Sequence, residues 1–305
     1  MSKACVVIFN DTHGWHSEQL VSALHALGID AILTDLALCR IDLDSPTGLV
    51  IPGCENRLPD AVMVRGIAPG SLEQITFRMD ILHTLAELGV PVFNSANVIE
   101  LTVDKARTSL RLQRAGLASP RTWVCENRTI AMTIAEPLLA RGISLVMKPL
   151  FGCQGKGIIR VNSVHDLQQA SAVGETFYLQ EYIAPEQPGQ WRDWRLFVID
   201  GEVCAAMSRH AQQWITNAAQ GAQCLATTVT DDMKQLAIAA AQAVQADYAG
   251  VDLIRRANGE FTVLEVNSVP AWKGLFHATG IAVADHLAKA LATRIQQRVN
   301  SPYVI

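Results

Sequence analysis

The segment that most constrains the fold of this chain reads Val-Asp-Leu-Ile-Arg-Arg-Ala-Asn-Gly-Glu-Phe-Thr-Val-Leu-Glu-Val-Asn over residues 251–267. Asn258-Gly259 is the pair preferred at the centre of a two-residue type I′ turn, so the segment predicts a β-hairpin. Counting outward from that turn places Leu253 opposite Leu264. The chain is therefore expected to contain an antiparallel strand pair in this region.

The same count places two acidic residues, Asp252 and Glu265, directly opposite each other. Two carboxylates in that position repel, and a divalent cation between them would relieve the repulsion. Asn267 projects from the same face because it lies two residues beyond Glu265. Such an all-oxygen set suits Mg²⁺ or Mn²⁺, with phosphate oxygens completing the shell. A solvated polar face is the alternative, and Phe261 and Val263 on that face argue against it.

A glycine-rich segment, Phe-Gly-Cys-Gln-Gly-Lys-Gly over residues 151–157, follows an apolar run that carries Lys148. Gly152, Gly155 and Gly157 permit positive φ and close approach of the backbone to a ligand, and successive N–H groups can cradle a triphosphate. A strand rather than a helix is predicted to follow, which excludes a P-loop and a dinucleotide-binding fingerprint. We expect a β-hairpin flap over phosphates, with a plain glycine-rich turn as the alternative.

An apolar run from Tyr178 to Ile183 includes one charged residue, Glu181. The end of a buried strand at this point would offer backbone N–H and C=O groups to the edge of an adenine ring. On these residues alone, an edge strand with one charged side chain is the favoured interpretation.

Three arginines surround the next predicted strands: Arg192 and Arg195, on either side of Asp193, and Arg209 at the end of a strand. Arginine is suited to bidentate contact with phosphate or carboxylate groups. Surface ion pairing is the alternative for any one of them.

Hydrophobic patterning divides the chain into two parts. In the first part, apolar runs at 4–9, 29–33, 61–64 and 90–93 alternate with helical patterns, which predicts a small parallel α/β unit. Helices are also predicted at 97–116 and 130–141. From residue 144 strands dominate, at 144–149, 157–161, 177–183, 195–199, 202–208, 249–256 and 261–267, with helices near 165–172, 231–246 and 282–299. The predicted fold class is α/β plus α+β.

Composition limits the classes of partner. The formal net charge is −4, which argues weakly against a nucleic-acid partner. The seven cysteines form no CxxC pair, which favours reduced thiols over a disulfide framework or a zinc site. We find neither a signal-peptide pattern nor an apolar run near the roughly 18 residues of a membrane span. We therefore expect a cytoplasmic protein with no membrane or nucleic-acid partner, and its scattered histidines, His16 included, to be structural or surface residues.

In order along the chain, these features resemble the RimK-type branch of the ATP-grasp ligases. The matching segments are Asn94-Ser95, Asp104-Lys105, Lys148-Pro149-Leu150, the 152–157 loop, residues 179–183, Asp193 with Arg195, Thr216-Asn217, residues 249–252 and residues 265–270. The resemblance covers roughly residues 90–290. It implies an N-terminal α/β lobe (1–95), a central lobe with the flap (96–183) and a C-terminal lobe with the metal site (184–305), the last two sandwiching ATP.

The resemblance also implies a role for each matching position. Lys105 and Lys148 would contact ATP phosphates, and the loop of Gly152, Gln154, Gly155 and Gly157 would close over them. Glu181 and Tyr182 would border the adenine, Asp193 would lie near the ribose, and Asn217 would help hold nucleotide and metal. Asp252, Glu265 and Asn267 would hold Mg²⁺ or Mn²⁺. Arg195, Arg209 and Lys273 are the candidate catalytic residues.

The implied reaction transfers the γ-phosphoryl group of ATP to a carboxylate, and an amine then attacks the acyl phosphate to form an amide. The favoured hypothesis is an ADP-forming ligase that adds an amino acid, expected to be L-glutamate, to a coenzyme or to a protein C-terminus. An ATP-grasp kinase and a non-catalytic nucleotide-binding regulator are the alternatives. The sequence leaves the oligomeric state open, with a homo-oligomer as one alternative.

Three positions depart from the RimK-type pattern, and the first two lie beside the expected acceptor site. Ile215 stands where the family commonly has arginine, and Ala271 follows Pro270 where the family has glycine. Cys153 replaces a serine in the flap. Variants with Trp-Ile-Thr-Asn and Pro-Ala-Trp look like the RimK-type proteins that accompany tetrahydromethanopterin-type cofactors, which favours a small coenzyme as acceptor. Lys273 is a candidate to replace the lost positive charge.

Overall fold

A computed structural model describes residues 3–55, 57–152 and 154–300 of the chain. The first part forms a parallel sheet with helices on both faces. Its elements are β1 (Cys5–Phe9), α1 (Trp15–Ala26), β2 (Asp30–Thr34), β3 (Arg40–Ile41), β4 (Leu49–Val50), β5 (Ala61–Val64), α2 (Leu72–Glu87) and β6 (Val92–Phe93). The parallel strands run in the order β2-β1-β5-β6. Every residue of β1 is buried, as expected of a parallel strand covered on both faces, which confirms the predicted α/β unit.

The central part is a mixed layer of helices on an antiparallel sheet. Its elements are α3 (Ala96–Val103), α4 (Lys105–Arg114), β7 (Thr122–Cys125), α5 (Arg128–Leu139), β8 (Leu145–Lys148), β9 (Ile159–Val161), α6 (Val164–Gln169) and β10 (Phe177–Glu181). The strand order is β7-β10-β8-β9. Strand β10 therefore lies inside the sheet, and the interpretation of this run as an edge strand was wrong. Its second neighbour is the unpredicted strand β7.

The C-terminal part is a five-stranded antiparallel sheet with helices on both sides. Its elements are β11 (Trp191–Ile199), β12 (Glu202–Ala211), β13 (Gln223–Ala226), α7 (Asp231–Ala243), β14 (Tyr248–Arg255), β15 (Phe261–Asn267), α8 (Lys273–Thr279) and α9 (Val283–Asn300). The strand order is β13-β12-β11-β14-β15. The predicted α+β body is confirmed.

The turn between β14 and β15 differs from the predicted type I′ turn. The Gly259 N–H donates to the Arg256 carbonyl at 2.9 Å, and the Arg256 N–H donates to the Glu260 carbonyl at 2.8 Å. The loop thus holds three residues, 257–259, and its positive φ falls on Gly259 at 88°. A turn followed by a left-handed glycine is the usual form of a three-residue hairpin loop, so the two-residue prediction was wrong.

A β-bulge compensates for the extra loop residue. Leu253 pairs with Val263 rather than with Leu264, because the register shifts by one residue between Asp252 and Leu253. Beyond the bulge, Asp252 pairs directly with Glu265, as predicted. The two departures cancel at the residues that matter for the site.

The N-terminal sheet shares a hydrophobic core with the C-terminal part. Val6 and Ile8 of β1 belong to the same buried cluster as Phe197, Trp272 and Leu287. Helix α9 packs on α1 and on β5. The N-terminal sheet is thereby fixed against the C-terminal sheet and its last two helices.

Helices α3 and α4 contribute to the C-terminal core. Leu101 and Leu112 are buried with Trp194 and with the inner face of α7. A separate cluster of buried side chains, which includes Leu145, Met147 and Leu179, forms the hydrophobic core of the central sheet. The division of the chain into three lobes at residues 95 and 183 stays a prediction, since α3 and α4 precede the central sheet but pack on the third.

Among the residues described, no helix combines the length and apolar character that a bilayer crossing requires. The cytoplasmic location and the oligomeric state stay predictions.

Candidate active site

A cavity of about 480 Å³ lies between the central and C-terminal sheets. Its central wall comes from β8, β10 and the segment after β10, and its other wall comes from β11, β12, β14 and β15. The predicted site residues in its lining are Lys148, Gly155, Glu181, Tyr182, Asp193, Arg209, Asn217, Asp252 and Glu265. Residues from distant parts of the sequence thus converge on one space of the volume typical of ligand sites.

Two lysines approach Glu265 at one end of this cavity. Lys148 Nζ donates to Gln180 Oε1 at 2.7 Å. Lys105 Nζ donates to the Gly152 carbonyl at 2.8 Å and lies 3.6 Å from Glu265 Oε1. Burial lowers the pKa of Lys148 to about 8, with Glu265 opposing that shift. Two ammonium groups beside one carboxylate leave this end of the cavity suited to an anion.

The glycine-rich loop connects β8 to β9, which pair as an antiparallel hairpin. Positive φ is adopted by Gln154, Gly155 and Gly157 but not by Gly152. The contact of Gly152 with the nucleotide stays a prediction. Gln220 Nε2 donates to the Gln154 carbonyl at 2.9 Å. The loop therefore rests on the segment that follows Asn217. Cys153 lies outside the described residues.

Asp252 is held by two arginines. Arg195 Nε and Nη2 donate to Asp252 Oδ1 and Oδ2, both at 2.6 Å, and Arg209 Nη2 lies 3.0 Å from Asp252 Oδ2. Burial would raise the pKa of Asp252, but the two guanidinium groups hold it below its ordinary value. These arginines relieve the repulsion between Asp252 and Glu265, so relief by a divalent cation, assumed from the sequence, is not required.

Arg209 links Asp252 to a second buried acid. Its Nε and Nη2 donate to the two oxygens of Asp193, both at 2.6 Å. Thr216 Oγ1 donates to Asp193 Oδ2 at 2.6 Å. This network ties the segment carrying Thr216 and Asn217 to the floor of the cavity, a connection the sequence did not indicate.

The predicted metal residues form an incomplete oxygen set. Asp252 and Glu265 both line the cavity, whereas Asn267 Nδ2 donates to the Gly250 carbonyl at 3.4 Å and lies outside the lining. Among the residues described, no group of three or more His, Cys, Asp or Glu side chains could hold a metal ion. Mg²⁺ is usually bound through one or two carboxylates together with phosphate oxygens and water. The residues therefore fit Mg²⁺ when phosphate supplies the remaining ligands.

A second group of lining residues is aromatic. Tyr182 Oη accepts a hydrogen bond from Trp191 Nε1 at 2.9 Å, and Arg160 stacks over the Tyr182 ring at 3.9 Å. The Tyr182 and Trp214 rings meet edge to face at 6.1 Å. Glu181 is ion-paired with Arg121 at 3.3 Å and with Arg256 at 3.7 Å. The contribution of Trp191 was not predicted, because no local pattern distinguishes it from a core tryptophan.

Some predicted residues are not part of the lining of this cavity. They are Lys105, Gly152, Gln154, Gly157, Arg195, Asn267 and Lys273. Lys105 lines a smaller pocket that shares Lys148 and Glu265 with the main cavity. Lys273 is exposed at the first residue of α8.

Two antiparallel sheets that enclose a lysine-lined cavity under a glycine-rich hairpin define an ATP-grasp fold. The structure of the ATP-grasp ligase PsnB complexed with minimal precursor, Mg and ADP is similar, with a TM-score of 0.74 and 20% identity, covering 96% of this chain and 98% of that one. A RimK domain protein from Sphaerobacter thermophilus has a TM-score of 0.67 and 20% identity, covering 95% of this chain and all of that one.

Residues 102–291 match the RimK-like ATP-grasp domain, and the chain belongs to that family, as the sequence resemblance indicated. The tetrahydromethanopterin:alpha-L-glutamate ligase of Methanocaldococcus jannaschii is 36% identical over 223 residues, which are 70% of this chain and 74% of that protein. The enzyme of the same name from Methanosarcina acetivorans is 29% identical over an alignment of 323 residues, which covers 93% of this chain and 97% of that protein.

Proposed function

We propose that this protein is an ATP-dependent carboxylate–amine ligase that attaches L-glutamate to a carboxylate of a pterin-type coenzyme. The relatives named tetrahydromethanopterin:alpha-L-glutamate ligase support both the donor and the acceptor class. The departures at Ile215 and Ala271 agree with a small coenzyme rather than a protein tail.

One observation carries the proposal. Within a single cavity, Lys148, the glycine-rich loop and the Asp252–Glu265 pair meet at one end. This end takes the triphosphate, and the aromatic end beside Tyr182 takes the adenine. Phosphate groups need cations and backbone N–H groups, and a planar base needs flat apolar surfaces, so the two ends match the two parts of ATP.

Glu265, Asp252 and Asn267 would hold Mg²⁺ or Mn²⁺ through their side-chain oxygens, together with phosphate oxygens of ATP. The bound cation would neutralise charge on the triphosphate. Glu265 is the more available carboxylate, since both oxygens of Asp252 already accept from arginines. Asn217, which also lines the cavity, would help to hold nucleotide and metal.

The reaction proceeds in two displacements. An oxygen of the acceptor carboxylate attacks the γ-phosphorus of ATP, the bond to the bridging oxygen breaks, and ADP leaves. The glutamate amine then attacks the acyl carbon, inorganic phosphate leaves, and the nitrogen loses a proton to give the amide. Lys105, Lys148 and the arginines act by positioning and by neutralising charge, and no covalent bond to the protein is formed.

The test is a product assay with purified protein, Mg-ATP, L-glutamate and tetrahydromethanopterin. ADP and phosphate should appear only when all components are present, and the pterin should gain the mass of one or more glutamate residues. AMP and pyrophosphate as products, or a mass gain of one phosphate on the acceptor, would contradict the proposal. The second result would instead indicate a kinase.

A further inference from the structure

The segment that follows β15 is fastened to side chains of the N-terminal part. Asn94 Nδ2 donates to the Ser268 carbonyl at 2.8 Å, and Arg65 Nη2 donates to the Pro270 carbonyl at 3.0 Å. His16 contacts the next residues, Trp272 and Lys273. Residues from three separate places in the N-terminal part therefore hold one short stretch, residues 268–273.

His16 makes the last of these contacts through one ring nitrogen. Its Nε2 accepts from the backbone N–H of Trp272 at 3.1 Å and of Lys273 at 3.2 Å. A nitrogen that accepts from N–H groups carries no proton, so the imidazole is neutral and its proton resides on Nδ1. Burial first, and then the charges of Arg65 and Lys273, lower the pKa of His16 to about 4.

The side chain of Trp272 locks the same segment in place. It is 1% exposed. The His16 ring meets it edge to face at 4.7 Å, and the Arg65 guanidinium lies 4.4 Å from its ring centroid. The buried Trp272 ring therefore anchors the backbone of residues 270–273.

The anchored segment lies next to the arginine that holds Asp252. A Cβ atom built on Gly250 would lie 2.7 Å from Pro270 Cβ and 3.6 Å from Arg195 Cδ. Pro270 and Arg195 therefore pack over the same glycine. Residues 268–273 are absent from the lining of the cavity that we assign to ATP.

We propose that His16 is a positioning residue for the acceptor: it fixes residues 270–273 as a wall of the acceptor site beside Arg195. This inference rests on the proposed ligase function and deepens it. The loops after β1 and β5 flank a crevice. The connections from these two adjacent parallel strands run to opposite sides of the sheet. Such a crevice is the usual position of a ligand in sheets of this kind. His16, which follows β1, and Arg65, which follows β5, both bind residues 270–273, so this segment spans the crevice.

The test compares three variants of the full chain. His16→Phe keeps an aromatic ring but removes the acceptor nitrogen, and His16→Gln places an amide oxygen near the position of Nε2. His25→Phe is the control, because His25 is exposed on the same helix, α1. Loss of two hydrogen bonds to backbone N–H groups should raise the KM for tetrahydromethanopterin about tenfold in His16→Phe. The KM for ATP should stay within about twofold of wild type in all three variants.

His16→Gln should recover most of the wild-type KM for the pterin, and His25→Phe should match wild type. The proposal is overturned if His16→Phe raises the KM values for ATP and for the pterin equally, since that result indicates general loss of structure. It is also overturned if His16→Gln is as impaired as His16→Phe, or if His16→Phe behaves as wild type.

A nuclear magnetic resonance measurement of the histidine ring nitrogens tests the contact without turnover. Between pH 6 and 8, His16 should remain neutral, with its single ring proton on Nδ1. A positively charged ring in that range, or a neutral ring with its proton on Nε2, would contradict the proposed contact. If the wild-type protein fails to form ADP with glutamate and tetrahydromethanopterin, the ligase proposal is wrong. The ring-nitrogen spectrum still decides whether His16 holds the segment.

Discussion

Arg195 grips Asp252 through both carboxylate oxygens, each at 2.6 Å. Arg209 adds a third contact to the same carboxylate and continues to Asp193. The cavity floor is therefore a chain of alternating charges that is largely excluded from water. This network fixes the position of Asp252 before any ligand binds. Disrupting the network should therefore lower both the stability and the activity of the protein.

The first prediction concerns stability. Asp193→Ala should lower the free energy of unfolding by about 3 kcal/mol, because Arg209 is left buried with only Asp252 as partner. The measurement is urea denaturation of the purified variant. Lys234→Met is the matched control: its ion pair with Glu202 is exposed, at 46% and 75%, and should contribute less than about 0.5 kcal/mol. Equal losses in the two variants would contradict the argument.

The second prediction concerns the divalent cation. Glu265→Gln should reduce ADP formation about a hundredfold and shift the Mg²⁺ dependence to higher concentration, because one carboxylate at the phosphate end is lost. Titration of activity with Mg²⁺ at saturating ATP provides the measurement. Glu260→Gln makes the same change in the same hairpin at an exposed position and should leave both quantities unaltered. An unchanged Mg²⁺ dependence in Glu265→Gln would remove this residue from the metal site.

The third prediction concerns pH. Since the pKa of Lys148 is lowered to about 8, its positive charge is present below that pH and is lost as pH rises through it. ADP should therefore bind more weakly at pH 9 than at pH 7, as measured by titration calorimetry. Lys148→Arg should show a smaller change, because a guanidinium group stays charged throughout. The idea fails if both proteins show the same pH dependence.

The fourth prediction concerns the glycine-rich loop. Gly155 has a φ of 71°, and an added Cβ would lie 2.8 Å from Gln220 Nε2 and 3.0 Å from Ile215 Cγ2. Gly155→Ala should raise the KM for ATP about tenfold by displacing the loop from this contact. Gly142→Ala carries the same left-handed backbone with nothing within 4 Å, and should leave the KM unchanged. In Gly155→Ala/Gln220→Ala the KM should return toward wild type; without that recovery, contact with Gln220 is not the cause.

Local patterns predicted most of the strands and the pairing of Asp252 with Glu265. Parallel strands such as β1 are continuous apolar runs, and Asn258-Gly259 correctly located a turn. The turn type was wrong because three-residue and two-residue loops share the same glycine signal, and the bulge at Leu264 has no sequence signature of its own. Asp252 and Glu265 still pair because the extra loop residue, Ala257, comes from the β14 side and the bulged residue, Leu264, comes from the β15 side, so the two shifts cancel.

Contacts between distant residues could not be predicted. His16 and Trp272 are separated by 256 residues, and Asn94 reaches Tyr248 across 154 residues. Their pairing depends on how whole sheets pack, which no local periodicity encodes. The short strand β7 was missed for a different reason: its four residues are partly exposed and carry no clear alternation. The sequence likewise identified Arg195 and Arg209 as candidate site residues, but it could not show that both contact Asp252.

The common core of the N-terminal sheet and helices α8 and α9 limits how this protein can be recombined with its relatives. A chimaera that exchanged only the first 95 residues would present a foreign surface to Trp272, Leu287 and the rest of that core. A working exchange of the first 95 residues is therefore expected to require residues 273–300 of the same parent, because the two segments pack into one core although they are far apart in the sequence.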